Sequence, residues 1–475
     1  MTEPGESFLL PARPVGSVDE WRALGGGEGL ARARRQGASQ TIQELSLSGL
    51  RGRGGGGFGT GRKWAGVLAQ GGTHRYVVAN GAEGEPATFK DRALLRANPY
   101  QLVEGVAVAA LVVGAVEAFI AVKDRFTTEA DRLTVALEEM SAAGLAGTVP
   151  ITVVRGPDEY LYGEEKALLE VIEGHAPMPR VLPPFEHGLF ATAPQTGWES
   201  HEAEVPAPGA APVGPGHRAR PEERSNPTLV NNVETLCNVP HILARGAEWY
   251  RGMGTAQSPG HAVATVVGDV VRPGVAELDL GTPLGELIHA VGGGTAPGRR
   301  VKAVFSGVAN PVITADHLDA PVSYEGLAQA GSGMGAAGFA VYDDTACMVE
   351  VAYQFSRFLS VESCGQCPPC KLGSAEITAR LAAVEACHGT DQDVGVIGAR
   401  LREVTDANRC YLGTEEQLVV SSILRAFPEE FAAHLEGDCP RPRDDLVVPK
   451  IVDLGDGRVI YDLAHLRKQP DWTYA

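Results

Sequence analysis

Three of the chain's eight cysteines lie within seven residues, and their spacing constrains the fold more than any other feature. Cys364, Cys367 and Cys370 form a C-x-x-C-x-x-C pattern, and a lone Cys410 follows downstream. Three thiolates at this spacing can bind one face of an iron–sulfur cubane, which a distant fourth cysteine completes. Zinc is the alternative, but four-cysteine zinc sites usually pair two C-x-x-C motifs. The pattern therefore favours a [4Fe–4S] cluster bound by these four residues.

The remaining cysteines show no ligand spacing. Cys237, Cys347, Cys387 and Cys439 are scattered, and we expect them to be buried or incidental thiols. Eight cysteines in 475 residues are too few for a secreted disulfide scaffold. The first residues also lack the basic segment of a signal peptide. We therefore expect a cytoplasmic protein, or one at the periphery of a membrane complex.

Charge and hydropathy argue against two classes of partner. The formal net charge is −18, and phosphate backbones are bound by basic stripes, so we expect no nucleic acid partner. The most apolar stretch, 102–122, is interrupted by Glu104 and Glu117. It is better explained as a buried helix that runs into a strand than as a membrane span. The sequence thus predicts no direct membrane insertion.

The region from about residue 75 to residue 165 alternates short β-rich runs with helical patterns. Strands are expected at 75–79, 118–122 and 149–155, and helices at 100–113 and 126–140. This alternation predicts an α/β fold, in which helices cover a sheet. Ligands of such sheets bind at the carboxyl ends of the strands. Polar loops that follow these strands are therefore candidate binding sites.

Composition divides the chain into five segments. Short strands between turns indicate a small α+β module, and helical patterns dominate the part that holds the cysteine motif. A Pro- and Gly-rich stretch cannot bury enough apolar surface to fold alone, so we expect a solvated insertion there. The predicted segments are an N-terminal arm (1–43), an α/β ligand-binding domain (44–250) with the insertion (197–224), the α+β module (258–340), a helical domain (343–437) and a C-terminal extension (438–475).

A glycine-rich segment precedes the first strand. It reads Gly-Arg-Gly-Gly-Gly-Gly-Phe-Gly-Thr-Gly-Arg-Lys-Trp over residues 52–64. No predicted strand leads into it, which argues against a dinucleotide-binding βαβ unit, and Arg62 stands where a P-loop has lysine. A flexible linker is the alternative, but linkers rarely carry such rings and cations. Glycines let the backbone approach a phosphate or a flat ring, and Arg53 and Lys63 supply positive charge. We therefore predict a site for a phosphate-bearing cofactor.

Three further motifs place polar residues where predicted strands end or helices begin. The first, Asn80–Pro86, contains two carboxylates and is either a binding loop or a solvated turn. The second, Tyr160–Glu165, opens a helix, where acidic residues often only complement the helix dipole. The third contains the adjacent amides Asn231 and Asn232, which could hold the polar edge of a flavin or cap the following helix.

Together the five motifs resemble those of the NADH-binding flavoprotein subunit of respiratory complex I and of its relatives in NAD-linked hydrogenases and formate dehydrogenases. The resemblance follows the family's order from about residue 46 to residue 427. It implies an FMN-binding α/β domain, a soluble-ligand-binding β-grasp module and a helical [4Fe–4S] domain. It also implies an NADH:acceptor oxidoreductase, in which hydride passes from NADH to FMN and single electrons leave through the cluster.

The resemblance also assigns the site residues. NADH contacts fall on Phe58, Glu85, Glu165 and Phe185. The cluster ligands are the cysteines of the C-x-x-C-x-x-C motif together with Cys410. The implied FMN contacts are Gly52, Arg53, Gly54, Gly55, Gly57, Gly61, Lys63, Asn80, Glu83, Tyr160, Gly163, Glu164, Asn231 and Asn232.

Three positions depart from the family pattern. Ala82 replaces an Asp in the loop after the first strand, Gly66 replaces an aromatic residue beside NADH, and Leu182 replaces a Lys on the nucleotide side. A stacked ring contributes about 0.5–1.5 kcal/mol beyond its burial. A charge-assisted hydrogen bond contributes about 1.5–3 kcal/mol. We therefore expect weakened NADH binding, with FMN and the cluster less affected.

Two other functions fit the same residues. The chain could be an FMN/[4Fe–4S] subunit that no longer uses NAD(H) and exchanges electrons between proteins, or a structural subunit that metal stabilises. A flavin spectrum excludes the structural subunit, and bleaching by NADH distinguishes the two redox functions. A single predicted cluster implies a further iron–sulfur or ferredoxin-like subunit as partner for longer electron transfer.

Overall fold

A computed structural model gives the arrangement of most of the chain. None of its described helices is long and apolar enough to cross a membrane. The predicted insertion at 197–224 lies outside the described residues, except for Arg224. The structure describes residues 7–71, 74–195, 224–443, 445–470 and 472.

The N-terminal unit is built around a four-stranded sheet. Its elements are α1 (Val18–Ala23), α2 (Glu28–Ser48), α3 (Thr60–Ala69), β1 (Tyr76–Gly81), α4 (Lys90–Ala97), α5 (Pro99–Val113), β2 (Glu117–Lys123), α6 (Thr127–Ala142), β3 (Ile151–Gly156), a 3₁₀ turn (Tyr160–Gly163), α7 (Glu165–Ile172), β4 (Thr228–Asn232), α8 (Val233–Arg245) and α9 (Ala247–Arg251). The strands run parallel in the order β3-β2-β1-β4. The predicted α/β fold is thereby confirmed.

Helices cover both faces of this sheet because its strands are apolar on both sides. Val77 and Ala79 of β1 belong to the larger core, which also contains buried residues of α2, α5, α6 and α8. Val78 points to a second cluster with Leu168 of α7. α5 is buried along nearly its whole length, with only Leu111 exposed, since it packs against α2, α6 and α8. This is the arrangement expected of a sheet buried on both faces.

The N-terminal segment differs from the predicted arm. The predicted boundary at residue 43 falls inside α2, and Trp21, Leu30 and Leu45 are buried in the main core. Glu104, one of the two carboxylates that interrupt the apolar stretch, accepts hydrogen bonds from Trp21 Nε1 (3.0 Å) and the Leu30 N–H (3.0 Å). The segment therefore packs as part of the α/β unit, because a buried carboxylate of α5 binds its polar groups.

The α+β module follows. Its elements are β5 (His261–Gly268), β6 (Gly274–Asp279), α10 (Leu284–Gly292), β7 (Val301–Ser306), β8 (Ile313–Thr314), α11 (Tyr324–Gln329) and β9 (Gly338–Asp343). The strand order is β6-β5-β9-β7-β8, with a parallel pair between β5 and β9 and antiparallel pairs elsewhere. Val263 donates its N–H to Glu234 of the first unit (2.9 Å), so the two units are bonded at this strand.

A helical unit and a C-terminal segment complete the chain. The bounds are α12 (Met348–Glu362), α13 (Pro368–Glu385), α14 (Asp391–Glu403), α15 (Leu412–Ala426), α16 (Pro428–Leu435), β10 (Ile451–Gly455) and β11 (Arg458–Tyr461). β10 and β11 form an antiparallel hairpin. Arg92 of α4 donates to the Ile451 carbonyl (2.9 Å), so the C-terminal segment returns to the α/β unit.

Candidate functional site

The predicted binding loops meet at one edge of the parallel sheet. β1 ends at Gly81 inside the Asn80–Pro86 motif, and β4 ends at Asn232. β3 ends at Gly156, shortly before the Tyr160–Glu165 motif. Because parallel strands end at the same edge, the three motifs come together there.

The glycine-rich segment forms a loop between α2 and α3, closed by a bridge between Arg51 and Gly59. Gly55 and Gly57 have φ angles of 112° and 59°, which glycine adopts without strain. A Cβ on Gly56 would meet nothing within 4 Å, so the backbone there faces open space. α3 begins after Gly59 with no side-chain cap, which leaves N–H groups of its first turn for an anion. The loop fits a phosphate-bearing group.

The two predicted cations of this segment take different positions. Arg53 is buried, and its guanidinium donates to the Tyr250 hydroxyl (2.9 Å) and the His261 carbonyl (2.8 Å). It anchors the loop to the α+β module, which differs from its predicted role of supplying charge to a cofactor. Lys63 lies on α3 with Nζ 2.9 Å from the Glu165 carboxylate. Lys63 is therefore the cation that the segment presents at the sheet edge.

Hydrogen bonds to protein groups fix the loop after β1. The Asn80 side chain donates to the Gly163 carbonyl (2.7 Å), which joins this loop to the one after β3. Glu83 accepts from the Asp91 N–H (2.9 Å) and from Arg92 Nε (2.8 Å). Glu83 is buried, so this pairing compensates for the desolvation of its charge. The loop is thus held by protein contacts on two sides.

Tyr160 lies between two carboxyl groups. Its hydroxyl is 2.5 Å from Glu85 Oε2 and 3.2 Å from Glu415 Oε1. The other oxygen of Glu85 accepts from the Val308 N–H (2.7 Å). Burial raises the pKa of both Glu85 and Glu415. The Tyr160 hydroxyl has one hydrogen and can donate it to only one of the two carboxylates. A proton on the other carboxyl group would let both hydrogen-bond to the hydroxyl oxygen or hydrogen, so this arrangement favours one protonated carboxyl group.

The two acidic residues at the start of α7 differ in their contacts. Glu164 is the N-cap and accepts from the N–H groups of Lys166 and Ala167 (2.9 Å each). Burial raises the pKa of Glu164 to about 7. Glu165, in the first turn, extends to Lys63. Glu164 therefore complements the start of α7, as acidic residues at a helix start often do, while Glu165 links α7 to α3.

The adjacent amides at the end of β4 are both bonded. Asn231 Oδ1 accepts from Trp64 Nε1 (2.8 Å). Asn232 caps α8, and its Oδ1 also accepts from Lys90 Nζ (3.0 Å). A Cβ on Gly54 would lie 3.1 Å from the Asn232 Cβ, so the glycine loop packs closely here. The capping alternative is realised for Asn232, which at the same time borders the glycine loop.

The residues predicted on the nucleotide side are more exposed. Phe58 is 50 % exposed and Phe185 is 39 % exposed. Gly66 is exposed on α3, where a Cβ would meet nothing within 4 Å, and Leu182 is half-buried. Ala82 is fully buried in an apolar cluster, so an Asp at this position would enter a hydrophobic core. Ala82 therefore fits the packing of this chain, whereas Gly66 leaves space unfilled.

The four predicted cluster ligands lie in the helical unit. Cys364 and Cys367 fall between α12 and α13, Cys370 lies in the first turn of α13, and Cys410 precedes α15. The Arg409 N–H is 3.3 Å from Cys367 Sγ, and Cys367 is the N-cap residue of α13. Backbone N–H groups and helix N-termini favour the thiolate form that metals bind.

The four sulfurs do not converge on one point as the ligands of a single ion would. Among the described residues, no three of the four Sγ atoms lie within 4.8 Å of one another. In a four-cysteine zinc site every thiolate binds the same ion at about 2.3 Å, which places the sulfurs about 3.8 Å apart. A cubane distributes its thiolates over different irons and needs wider spacing. The donor set therefore fits a [4Fe–4S] cluster.

Family models match the chain in the order of its three units. The Nuo51 FMN-binding domain matches residues 45–241, and the SLBB domain matches residues 263–312. The NADH-ubiquinone oxidoreductase-F iron–sulfur binding region matches residues 350–434. The last match contains all four cysteines of the predicted cluster site.

Relatives match over most of the chain. The NADH-quinone oxidoreductase F-subunit 2 of Rhizobium meliloti is 36 % identical over 431 residues, which are 88 % of this chain and 94 % of the relative. The NADH-quinone oxidoreductase F-subunit of Streptomyces coelicolor is 34 % identical over 436 residues, 89 % of each chain. The chain belongs to the NADH-quinone oxidoreductase-F family.

This member of the oxidoreductase-F family is also similar to hydrogenase proteins. NADP-reducing hydrogenase subunit HndC of Solidesulfovibrio fructosivorans is 33 % identical over 435 residues, 89 % of this chain and 82 % of the relative. An NAD⁺-reducing [NiFe]-hydrogenase, solved in its H₂-reduced state, matches with a TM-score of 0.74 and 29 % identity. That match covers 91 % of this chain and 68 % of the hydrogenase chain.

Membership of the oxidoreductase-F family confirms the predicted cofactors, FMN and a [4Fe–4S] cluster, with NADH as substrate. It also confirms the reaction class, an oxidoreductase that takes electrons from NADH. The comparisons lend no support to a chain that has lost NAD(H).

Sequence patterns do not reveal the buried charges beneath the site. Lys90 Nζ lies 2.7 Å from Asp91 Oδ1 and 3.0 Å from Glu234 Oε2, with all three side chains almost fully buried. Arg92 belongs to the same network through Glu83. The available signal is the Lys-Asp-Arg run that opens α4, because three charges at the start of a buried helix require partners.

Proposed function

We propose that this chain is the electron-input subunit of a multi-subunit oxidoreductase. FMN would bind at the sheet edge, and electrons would leave it through the cluster in the helical unit. The contact between the sheet-edge loops and the helical unit carries this proposal. Tyr160 contacts Glu85 of the loop after β1 and Glu415 of α15. Its N–H donates to Glu362 Oε2 at the end of α12 (2.9 Å). One residue of the proposed flavin site thus contacts two helices of the helical unit.

Two further contacts lie next to cluster ligands. Gln366, between Cys364 and Cys367, donates to the Pro179 carbonyl (3.3 Å). Lys166 of α7 donates to the carbonyl of Arg409, which precedes Cys410. The cysteine site is therefore docked against the α/β unit and not merely tethered to it, which favours electron transfer between the two sites.

The residues at the sheet edge bind and orient the flavin. A bound flavin accepts the two electrons of a hydride together and releases them singly, which matches NADH to a one-electron cluster. The open backbone at Gly56, the uncapped N-terminus of α3 and the Lys63 ammonium would bind the phosphate. Asn80, Asn231 and Asn232 hold the surrounding loops in register through the bonds described above.

NADH would bind on the exposed side of the same edge. Phe58 and Phe185 are two of the exposed rings among the described residues, and they would stack on its planar groups. Glu165 is paired with Lys63, so a bound nucleotide could displace one partner and hydrogen-bond to the other. Glu85 is bonded to Tyr160 and Val308, so it would orient the donor from a fixed position.

The partner of this chain is a further iron–sulfur or ferredoxin-like subunit. The chain binds one predicted cluster, and electrons that leave it need an acceptor within the assembly. The relatives named above are subunits of oxidoreductases and hydrogenases, which supports assembly with other subunits. None of the eight cysteines, all of which the structure describes, forms a disulfide, as is usual in a reducing compartment. This supports a cytoplasmic location, at the periphery of a membrane complex or free of it.

Separate loss of the two cofactors tests this proposal. In Cys410→Ala we expect iron and the cluster's electron paramagnetic resonance signal to be lost while FMN remains. NADH should still bleach the flavin, but reduction of a one-electron protein acceptor should cease. Cys387→Ala, which alters a scattered cysteine of the same unit, is the matched control and should change neither cofactor. Loss of FMN together with iron in Cys364, Cys367, Cys370 and Cys410 variants would argue against separate sites.

A further inference from the structure

A second group of metal-ligand side chains lies in the helical unit, away from the four cluster cysteines. Cys347, His434 and Cys439 each offer one donor atom, and these atoms all lie within 4.8 Å of one another. Cys347 and His434 are almost completely buried, and Cys439 is half-buried. The sequence patterns treat both cysteines as incidental thiols, because 92 residues separate them.

The distances suit zinc. Cys347 Sγ and His434 Nε2 are 3.5 Å apart. Zn–S bonds of about 2.3 Å and Zn–N bonds of about 2.0 Å at a tetrahedral angle place the two donors about 3.5 Å apart. A thiol hydrogen bond accounts for this pair alone, but the third donor, Cys439 Sγ, completes a converging set. Two thiolates and an imidazole are ligands that zinc prefers over harder cations.

The histidine is oriented as a ligand. His434 Nδ1 lies 2.8 Å from the Glu430 carbonyl, which only accepts hydrogen bonds, so Nδ1 carries the hydrogen. Nε2 therefore presents its lone pair towards the two sulfurs. Metal-binding histidines almost always donate their second ring nitrogen in this way. The Glu430 carboxylate also accepts from the Met348 N–H (2.8 Å), which holds the start of α12 beside Cys347.

Cys347 lies where a thiolate bound to a cation is well placed. It is the N-cap of α12, where the helix dipole and free N–H groups stabilise negative charge. A buried thiolate is costly without a counter-charge, and a bound cation offsets that cost. α12 has 15 residues and is therefore about 22 Å long. Because the cluster cysteines begin beyond its other end, the two sets of ligands are well separated.

We propose that Cys347, His434 and Cys439 bind one zinc ion, with water as the fourth ligand, and that this ion has a structural role. The ligands come from the start of α12, from α16 and from the C-terminal segment. The ion would therefore close the helical unit and fix the start of the segment that returns to the α/β unit. That segment is bonded there through the Ala87 N–H to the Pro449 carbonyl (2.7 Å) and through Arg92 to Ile451.

Metal analysis of the full-length protein, produced in zinc-supplemented medium, tests the proposal without reference to activity. We expect about one zinc per chain in addition to the cluster iron. Cys347→Ser and His434→Gln should lose nearly all of the zinc and keep iron, whereas the control Cys387→Ser should keep both. The proposal would be overturned if the wild-type protein contained no zinc. It would also be overturned if Cys347→Ser and His434→Gln kept the zinc of the wild type.

X-ray absorption at the zinc edge gives a second test that requires no variant. Two sulfur ligands at about 2.3 Å and two nitrogen or oxygen ligands at about 2.0 Å are expected. Four sulfur ligands would place the zinc in the Cys364–Cys410 site and overturn the proposal. Zinc that is lost in Cys410→Ala but kept in Cys347→Ser would overturn it equally.

Discussion

The proposed flavin side and the proposed nucleotide side of the site are built differently. On the flavin side, Asn80, Glu83 and Asn232 are bonded to protein groups at 2.7–3.0 Å. On the nucleotide side, Phe58 and Phe185 are exposed, and Gly66 leaves an empty position on α3. One side is fixed before any ligand binds, whereas the other depends on a few exposed rings.

This difference predicts how each side responds to substitution. Removing a bonded, buried group costs stability as well as binding, because its partners lose their hydrogen bonds. Removing an exposed ring costs only the contact with the ligand. Substitutions on the flavin side should therefore change folding and flavin content, and those on the nucleotide side should change only the response to NADH.

The largest effect is expected from Asn232→Ala. The change removes the cap of α8 and leaves buried Lys90 and Asp91 without an amide partner. Loss of the cap costs about 1 kcal/mol. Lys90 and Asp91 remain paired with each other at 2.7 Å, so their lost amide bonds together add about 1–3 kcal/mol. We expect the free energy of unfolding to fall by about 2–4 kcal/mol and FMN to be largely lost. Denaturant unfolding and flavin content measure the two effects.

Ser323→Ala is the matched control for this variant. Ser323 caps α11 in the α+β module through a single hydrogen bond to the Gly326 N–H (3.0 Å). It should cost about 1 kcal/mol and leave the flavin content unchanged. If Asn232→Ala behaves like this control, the flavin side is not held in the way described.

The pH dependence of stability should show the buried state of Glu164. Its pKa is raised by burial from about 4.5 to about 7, so ionisation costs more in the folded chain than in the unfolded one. The stabilising effect of the protonated carboxyl is complete below about pH 4.5 and is lost as the pH rises to about 7. At 1.36 kcal/mol per unit, the loss amounts to about 3 kcal/mol at most.

Glu164→Gln removes this titration and keeps an oxygen to cap α7. Between pH 4.5 and 7, the free energy of unfolding of the wild type should fall relative to that of Glu164→Gln. Parallel pH profiles for the two proteins would show that Glu164 is ionised and solvated in the folded chain. Thermal or urea unfolding across this pH range supplies the comparison.

On the nucleotide side, Phe58→Ala should affect NADH alone. Loss of a stacked ring costs about 0.5–1.5 kcal/mol, so the KM for NADH should rise about twofold to tenfold at 1.4 kcal/mol per decade. Flavin content and unfolding should not change. Phe190→Ala is the control, since Phe190 is 45 % exposed on the same unit but contacts Tyr76. An unchanged KM in Phe58→Ala would remove Phe58 from the site.

A gain of affinity, not a loss, is expected where the nucleotide side is incomplete. Gly66→Phe adds a ring where a side chain meets nothing within 4 Å, and Leu182→Lys adds a cation at a half-buried position predicted on the nucleotide side. Each gain should be about 1 kcal/mol, so the double variant should bind NADH roughly tenfold to thirtyfold more tightly. Gly66→Ala is the control for the helix propensity of α3. Equal NADH affinity in Gly66→Ala and Gly66→Phe would exclude stacking.

The sequence predicts those features that depend on local pattern. The alternation of apolar runs predicts the strands, and strand ends predict which loops meet. The cysteine spacing predicts the cluster ligands without any knowledge of the fold. Each of these signals lies within a few residues, so it is visible in one pass along the chain.

Features that join distant segments could not be predicted in this way. Tyr160 and Glu415 are 255 residues apart, and Arg53 and His261 are 208 residues apart. Arg53 illustrates the consequence: its position in a glycine loop indicates a cofactor contact, whereas its partners show an anchor between two units. The N-terminal segment is similar, because its polar surface is compensated by Glu104 on a helix that follows much later.

Anaerobic titration of the full-length protein with NADH tests the central claim most directly. The claim is that a hydride donor binds beside the flavin and that electrons leave through the cysteine site. We expect NADH to bleach the flavin absorbance, and the signal of the reduced cluster to appear in the wild type but not in Cys410→Ala. A flavin that dithionite bleaches but NADH does not, at any concentration, would contradict the claim.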